Sequence, residues 1–280
     1  MAVLLHRRCI CGVLIDVMPR LPVLTNELAL RIEGCVAPEL SSPTEATDPR
    51  AACVAQFGRT VASKSKGGWP ANKVFCFGHD DIGRLEEILA FYAADGLEPT
   101  FYMAPMAFSR ETAAALDAAG FVQREFEQTI MYGLPAPKAR ALPNGVTIER
   151  ATADNADEFV HATADGFEWH PNWRADAMET VRHSFRPGVR HFLVRYNGAP
   201  AGVGSLGLRG TFASLGGGAI VPVFRGKGCH LALVHHRVHL AHTLGCELVL
   251  GGARFGSGSF RNQQRAGLRL AYVESAWSRT

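Results

Sequence analysis

No stretch of this 280-residue sequence is apolar for long enough to cross a bilayer. Its longest uncharged run, Gly210 to Phe224, has 15 residues and is rich in glycine and serine, whereas a spanning helix needs about 20 apolar ones. No membrane anchor is expected. A surplus of one charge is also missing: 29 basic residues face 26 acidic ones, a net charge of +3. Without a basic stripe of the kind that tracks a phosphate backbone, nucleic acid is not expected as a partner. The seven cysteines are odd in number and form no C-x-x-C pair. That pattern argues against a disulfide framework or a zinc knuckle and for a reducing, cytoplasmic compartment. Lysine is scarce, 5 residues beside 24 arginines, a skew that carries no functional reading. Apolar residues are plentiful, at 47% of the chain against 20% charged. The chain can therefore bury a sizeable core, as one large unit or as two modest domains.

The N-terminus, MAVLLHRRCICGVLIDV, has two arginines before a short apolar run. It is too short for a signal peptide, carries Asp16 and lacks a small-x-small cleavage site. Met18 offers a second start, and Leu24 to Ile32 has the spacing of an amphipathic helix, so residues 1–17 are expected to be an extension from an upstream start. The segment 133–145, GLPAPKARALPNG, holds three prolines and two glycines and marks a break. The domain reading is a first half at 18–135, a linker at 136–145 and a second half at 146–280. Across the break the order of elements repeats. Strand 73–77, helix 82–95, strand 99–104, helix 109–119 and a strand to about 132 correspond to strand 211–221, helix 228–244, strand 246–251, helix 257–266 and a strand to about 277. The second half adds a strand at 146–151, helices at 153–165 and about 174–185, and a hairpin whose turn is Asn197-Gly198. The expected class is α+β, a mixed, mostly antiparallel sheet flanked by helices.

The chemistry concentrates at Ala219-Ile220-Val221-Pro222-Val223-Phe224-Arg225-Gly226-Lys227-Gly228-Cys229-His230. Here a strand ends, Pro222 stops its ladder, and a glycine-containing turn opens into a helix. Backbone amides at such a helix start, together with the helix dipole, can hold a phosphate or pyrophosphate. Gly226 and Gly228 let the backbone approach the oxyanions, while Arg225 and Lys227 supply charge. The alternative is an ordinary strand-to-helix turn with exposed basic residues. The pattern is neither a P-loop nor G-x-G-x-x-G.

The V-x-P-x-x-R-G-x-G pattern is followed by a helix, a strand, and Ser259-Phe260-Arg261-Asn262 ahead of Gly267. Together these resemble the GNAT superfamily of acyl-CoA N-acyltransferases over residues 146–277. Residues 22–133 resemble a degenerate GNAT half more faintly. The resemblance implies acetyl-CoA as acyl donor, with Gly218, Ala219 and Ile220 along the pantetheine arm and thioester. It implies that backbone amides of Arg225, Gly226, Lys227, Gly228, Cys229, His230 and Leu231 hold the pyrophosphate, and that Ser259 and Asn262 face the pantetheine or sulfur. Two positions depart from the family pattern. His230 stands where Gly or Ala is usual, placing a ring beside the phosphates, either tightening or crowding that site. Gln263 stands where many members have a Tyr that protonates the leaving thiolate. In the first half, Gly78-His79-Asp80-Asp81 puts acids where phosphates would need donors, so that half is expected to bind no CoA and to wall one side of the acceptor cleft or serve structure alone.

The loop Phe167-Glu168-Trp169-His170-Pro171-Asn172-Trp173 lies between the first two helices of the second half. Glu168 or His170 is the expected base for an ammonium acceptor, with Phe167, Trp169 and Trp173 lining its apolar part; the alternative is that the loop is packing. Glu247 is a second candidate base. His235, His239 and His242 share a helix face but lack visible further ligands, so no metal is expected. The expected function is acyl transfer from acyl-CoA to a primary amine, a small molecule or peptide, by direct attack. An acyl-CoA-binding module without turnover is the alternative.

Overall fold

The structure, a computed structural model, describes residues 7–10, 13–16, 20–37, 53–65, 72–185 and 188–279. A short hairpin, β1 (Arg7–Ile10) and β2 (Val13–Asp16), forms its own two-stranded sheet. The helix expected after Met18 is α1 (Asn26–Val36), capped by Thr25, whose hydroxyl accepts from Leu28 N at 3.2 Å. The first half continues with β3 (Cys53–Phe57), β4 (Thr60–Lys64), β5 (Lys73–Phe75), α2 (Leu85–Ala93), β6 (Thr100–Met103), α3 (Arg110–Ala118) and β7 (Phe121–Gly133). The second comprises β8 (Val146–Ala151), α4 (Ala156–Gly166), α5 (Pro171–Arg182), β9 (Val189–Tyr196), β10 (Ala199–Arg209), β11 (Phe212–Ile220), α6 (Cys229–Thr243), β12 (Leu248–Ala253), α7 (Gly258–Arg265) and β13 (Arg269–Arg279).

Among the described residues, eleven strands make one sheet in the order β3-β4-β5-β6-β13-β7-β12-β11-β10-β9-β8. All neighbours are antiparallel except β5–β6 and β11–β12. These two parallel pairs occupy equivalent places in the repeat. The expected α+β class and repeated topology are what the structure has. What the repeat did not foretell is that the halves exchange their last strands. β7 lies between β13 and β12, and β13 lies between β7 and β6. Core membership follows the exchange: Met131 of β7 packs in the second half's core with Leu206, Leu233 and Val249, while Trp277 of β13 packs in the first half's core with Phe77, Ile88 and Phe101. The halves therefore share backbone ladders as well as an apolar interface.

Local chemistry explains most boundaries. Asn197 and Gly198 both take positive φ, +49° and +84°, as a two-residue hairpin turn requires. The second helix of the second half starts earlier than expected, at Pro171, because Pro fits the first helical position and His170 caps it, Nδ1 accepting from Asn172 N at 3.3 Å. The 136–145 segment runs against α6. Ala136 N donates to Val238 O at 3.2 Å, and His239 Nδ1 donates to Ala136 O at 3.0 Å.

Candidate active site

β11 and β12 pair only from Phe212–Leu248 to Leu215–Gly251. Beyond that point β11 keeps to β10, and β12 keeps to β7. The strands part, and a bulge at Gly217–Gly218 opposite Gly204 sharpens the opening. Gly217 takes φ +52°, which glycine adopts at little cost.

One cleft of about 590 Å³ follows from this opening, lined by Gly218, Ala219, Ile220, Arg225, Gly226, Gly228, Cys229, His230, Leu231, Ser259 and Asn262 among others. Of the expected cofactor residues only Lys227, which is exposed, is not in its wall. Gly228 starts α6 at φ +81° with no side-chain cap, so the first-turn amides depend on an outside acceptor. Helix start and strand edge thus face the same space.

Three side chains behave differently from their sequence reading. The Arg225 guanidinium turns back into the protein, Nε donating to Ile220 O at 3.1 Å and Nη2 to Gly166 O at 3.1 Å and Glu168 Oε2 at 2.7 Å. It clamps the turn to the α4–α5 loop through Nε and Nη2. The His230 ring is also turned inward, with Nδ1 accepting from Asn262 Nδ2 at 3.1 Å. Burial, and then the charge of Arg237, push its pKa down to about 4, so the ring is neutral near pH 7 with its proton on Nε2. Its hydrogen bond goes to Asn262 rather than to the turn's backbone, while the ring still lines the cleft. Asn262 Oδ1 accepts from Arg265 Nη1 at 2.8 Å, so Asn262 bridges two side chains at the cleft wall. Cys229 is buried, and burial raises its thiol pKa, which disfavours a thiolate nucleophile.

A second cavity of about 640 Å³ adjoins the first, sharing Phe167, Gly218, His230 and Ser259. Phe167 and Trp169, their rings stacked at 6.2 Å, line it, while Trp173 packs behind Trp169 at 5.8 Å. Glu168 and His170, the expected bases, are absent from the walls of both cavities. Glu168 sits at φ +53° on the surface, paired with Arg225, and His170 is spent on its helix cap. Glu247 is at the far end of β12, accepting from Thr211 Oγ1 at 2.9 Å and lining a different pocket beside α1.

Two groups that the sequence reading missed occupy the second cavity instead. His191 of β9 is buried. Its Nε2 donates to Ser184 O at 2.8 Å, which leaves Nδ1 to accept from Ser205 Oγ at 2.7 Å. Arg237 of α6 is 2% exposed, Nη1 donating to Ser205 O and Gly216 O, both at 2.9 Å. Burial lowers its pKa to about 10, so it stays cationic. Gln263 is buried against this cavity, Nε2 donating to Gly252 O at 3.1 Å; it has no proton to give at neutral pH. Among the described residues lining the cavity there is no aspartate or glutamate.

No protein-family model matches the chain, and no curated protein matches it. Solved structures do. A GCN5-related N-acetyltransferase from Kribbella flavida superposes with a TM-score of 0.64 at 15% identity, covering 91% of this chain and 95% of that one. A tandem GNAT protein from the clavulanic acid biosynthesis pathway gives 0.59 at 16% identity, covering 91% and 94%. A GCN5-related N-acetyltransferase from Sphaerobacter thermophilus gives 0.55 at 14%, covering 80% and 82%. The chain has a two-part GNAT fold.

Proposed function

We propose that the second half binds an acyl-CoA, acetyl-CoA in the first instance, and transfers its acyl group to a primary amine held in the adjoining cavity. The observation that carries this reading is the meeting of an uncapped helix start, a parted strand edge and a second cavity at Gly218 and His230. The residues fit the donor: amides of the first turn of α6 would hold its diphosphate, and the edge of Gly218–Ile220 would hold its pantetheine amides. Bound acyl-CoA supplies an activated thioester. Positioning beside the acceptor then provides much of the rate. Ser205 Oγ, hydrogen-bonded to His191 Nδ1, takes the proton shed by the attacking amine and passes it to the imidazole. Ser184 O holds the imidazole in the tautomer this requires. The thiolate leaves without a side-chain acid, because Gln263 cannot protonate it.

The absence of both a carboxylate and a tyrosine at these places favours a second reading, an acyl-CoA-binding module without turnover. Thiol release from acetyl-CoA in the presence of amines separates the two. With turnover, His191→Gln is expected to lower kcat by about 10²-fold and to flatten the acidic limb of the pH profile, while acetyl-CoA affinity holds. An unchanged limb removes His191 from the role.

A further inference from the structure

Among the described residues, the buried charge of Arg237 in the second cavity has no counter-ion. Arg237 emerges from the inner face of α6 and lies in a slot made by two glycines. A Cβ on Gly204 would stand 2.9 Å from Nη1, and one on Gly218 would stand 3.2 Å from Nη2. The slot is therefore shaped around the guanidinium. Two carbonyls and the helix's own Leu233 O occupy Nε and Nη1. Nη2 has no hydrogen-bond partner among the described residues and belongs to a side chain that lines the cavity. No carboxylate among the described residues lies within ion-pair distance, and the cavity wall carries none. A guanidinium taken out of water without an opposite charge is unfavourable. An arginine whose remaining N–H groups face a cavity without a carboxylate in its wall is suited to a carboxylate ligand.

We infer that the acceptor is an amino acid, its carboxylate bound by Arg237 and its amine presented to Ser205. Ser205 sets the scale. Its carbonyl accepts from Arg237 while its hydroxyl bonds His191, so the cation and the proton acceptor are one residue apart. An acceptor with only a few bonds between amine and carboxylate matches that spacing. Phe167 and Trp169 then face its side chain, which favours an apolar or aromatic one. The inference rests on the acyl-transfer reading.

Thiol release from acetyl-CoA is compared for pairs of amines that differ only in carboxylate against carboxamide, such as glycine and glycinamide, alanine and alaninamide, and phenylalanine and phenylalaninamide. Wild-type protein is expected to show kcat/KM at least about 10²-fold higher for the acid in its preferred pair, since a buried polar group left without its partner penalises the analogue heavily. In Arg237→Gln, and less completely in Arg237→Lys, that ratio collapses toward one. A ratio near or below one in the wild type overturns the inference, with no variant needed. So does a ratio retained in a folded Arg237 variant, or an equal fall for both members, which would assign Arg237 to the thioester. If no amine releases thiol while acetyl-CoA binds, the transfer reading fails. Calorimetry with the same pairs then decides the anion site: binding of acids but not amides upholds it, and binding of neither overturns it.

Discussion

The two halves part company within three residues. After the last parallel pair, the second half reads Gly216-Gly217-Gly218 and the first half reads Phe75-Cys76-Phe77. The backbone does the same thing in both, since Gly217 has φ +52° and Cys76 φ +61°. A cysteine at positive φ is costly, so the first half keeps this backbone turn just past the end of β5 although its residue is unsuited to it. What differs is the space beyond. In the second half glycines leave a cleft, whereas in the first half Phe77, 1% exposed, fills the core with its ring 5.2 Å from that of Phe101. The turns that follow differ in charge as well. Gly228 opens α6 toward the cleft without a cap, while Asp81 folds back to accept from Thr60 N at 2.9 Å and Thr60 Oγ1 at 2.7 Å. The helix start at Gly78 also lacks a side-chain cap, so the difference is the carboxylate that stands in the first half's turn, bound to Thr60.

Making the second half resemble the first should have the largest effect. In Gly218→Phe a ring enters the space between His230 and Arg237, and acetyl-CoA affinity is expected to fall by about 10³-fold or more, with the melting temperature showing that the fold survives. Titration calorimetry measures it. Unchanged affinity would mean the donor lies elsewhere.

The reverse change sharpens the contrast. Phe77→Ala empties a packed site in the first half and should cost about 3–5 kcal/mol of stability, seen in denaturant unfolding, yet create no second acetyl-CoA site, because Asp81 still occupies the turn. A second equivalent of binding would show that the aromatic filling alone separates the halves.

A smaller effect concerns pH. The His230 pKa of about 4 in the fold lies below its ordinary 6.5, so the unfolded chain takes up the proton first. Its contribution is present in full above pH 6.5 and is lost as pH falls toward 4, on the order of 3 kcal/mol. His235 and His236 are also lowered by burial, so the difference between wild type and His230→Leu isolates the one ring. The stability of the variant should fall less steeply across that window. Parallel curves would show that the ring is not buried neutral.

Much of this was readable in the chain because the signals were local. The Asn197-Gly198 turn, the glycines flanking Lys227 and the matching order of elements each depend on a few adjacent residues. The strand exchange was not readable, since strands pair through backbone hydrogen bonds and nothing local in β7 or β13 says which edge they meet. Glu168 and His170 misled because the reach of Arg225 and a helix cap decide where loop side chains point. Arg237 left a signal that went unread: with Leu233, Val234, Val238 and Ala241 it falls on one helical stripe, and all are buried, so a charge there is a buried one. His191 carried only the weaker mark of a polar residue within an apolar strand.

The stoichiometry of acetyl-CoA binding to the intact chain tests the division of labour most directly. Titration calorimetry is expected to give one site per chain in the wild type and none in Gly218→Phe. Two equivalent sites, or one that persists in that variant, would contradict the assignment of the donor site to the second half.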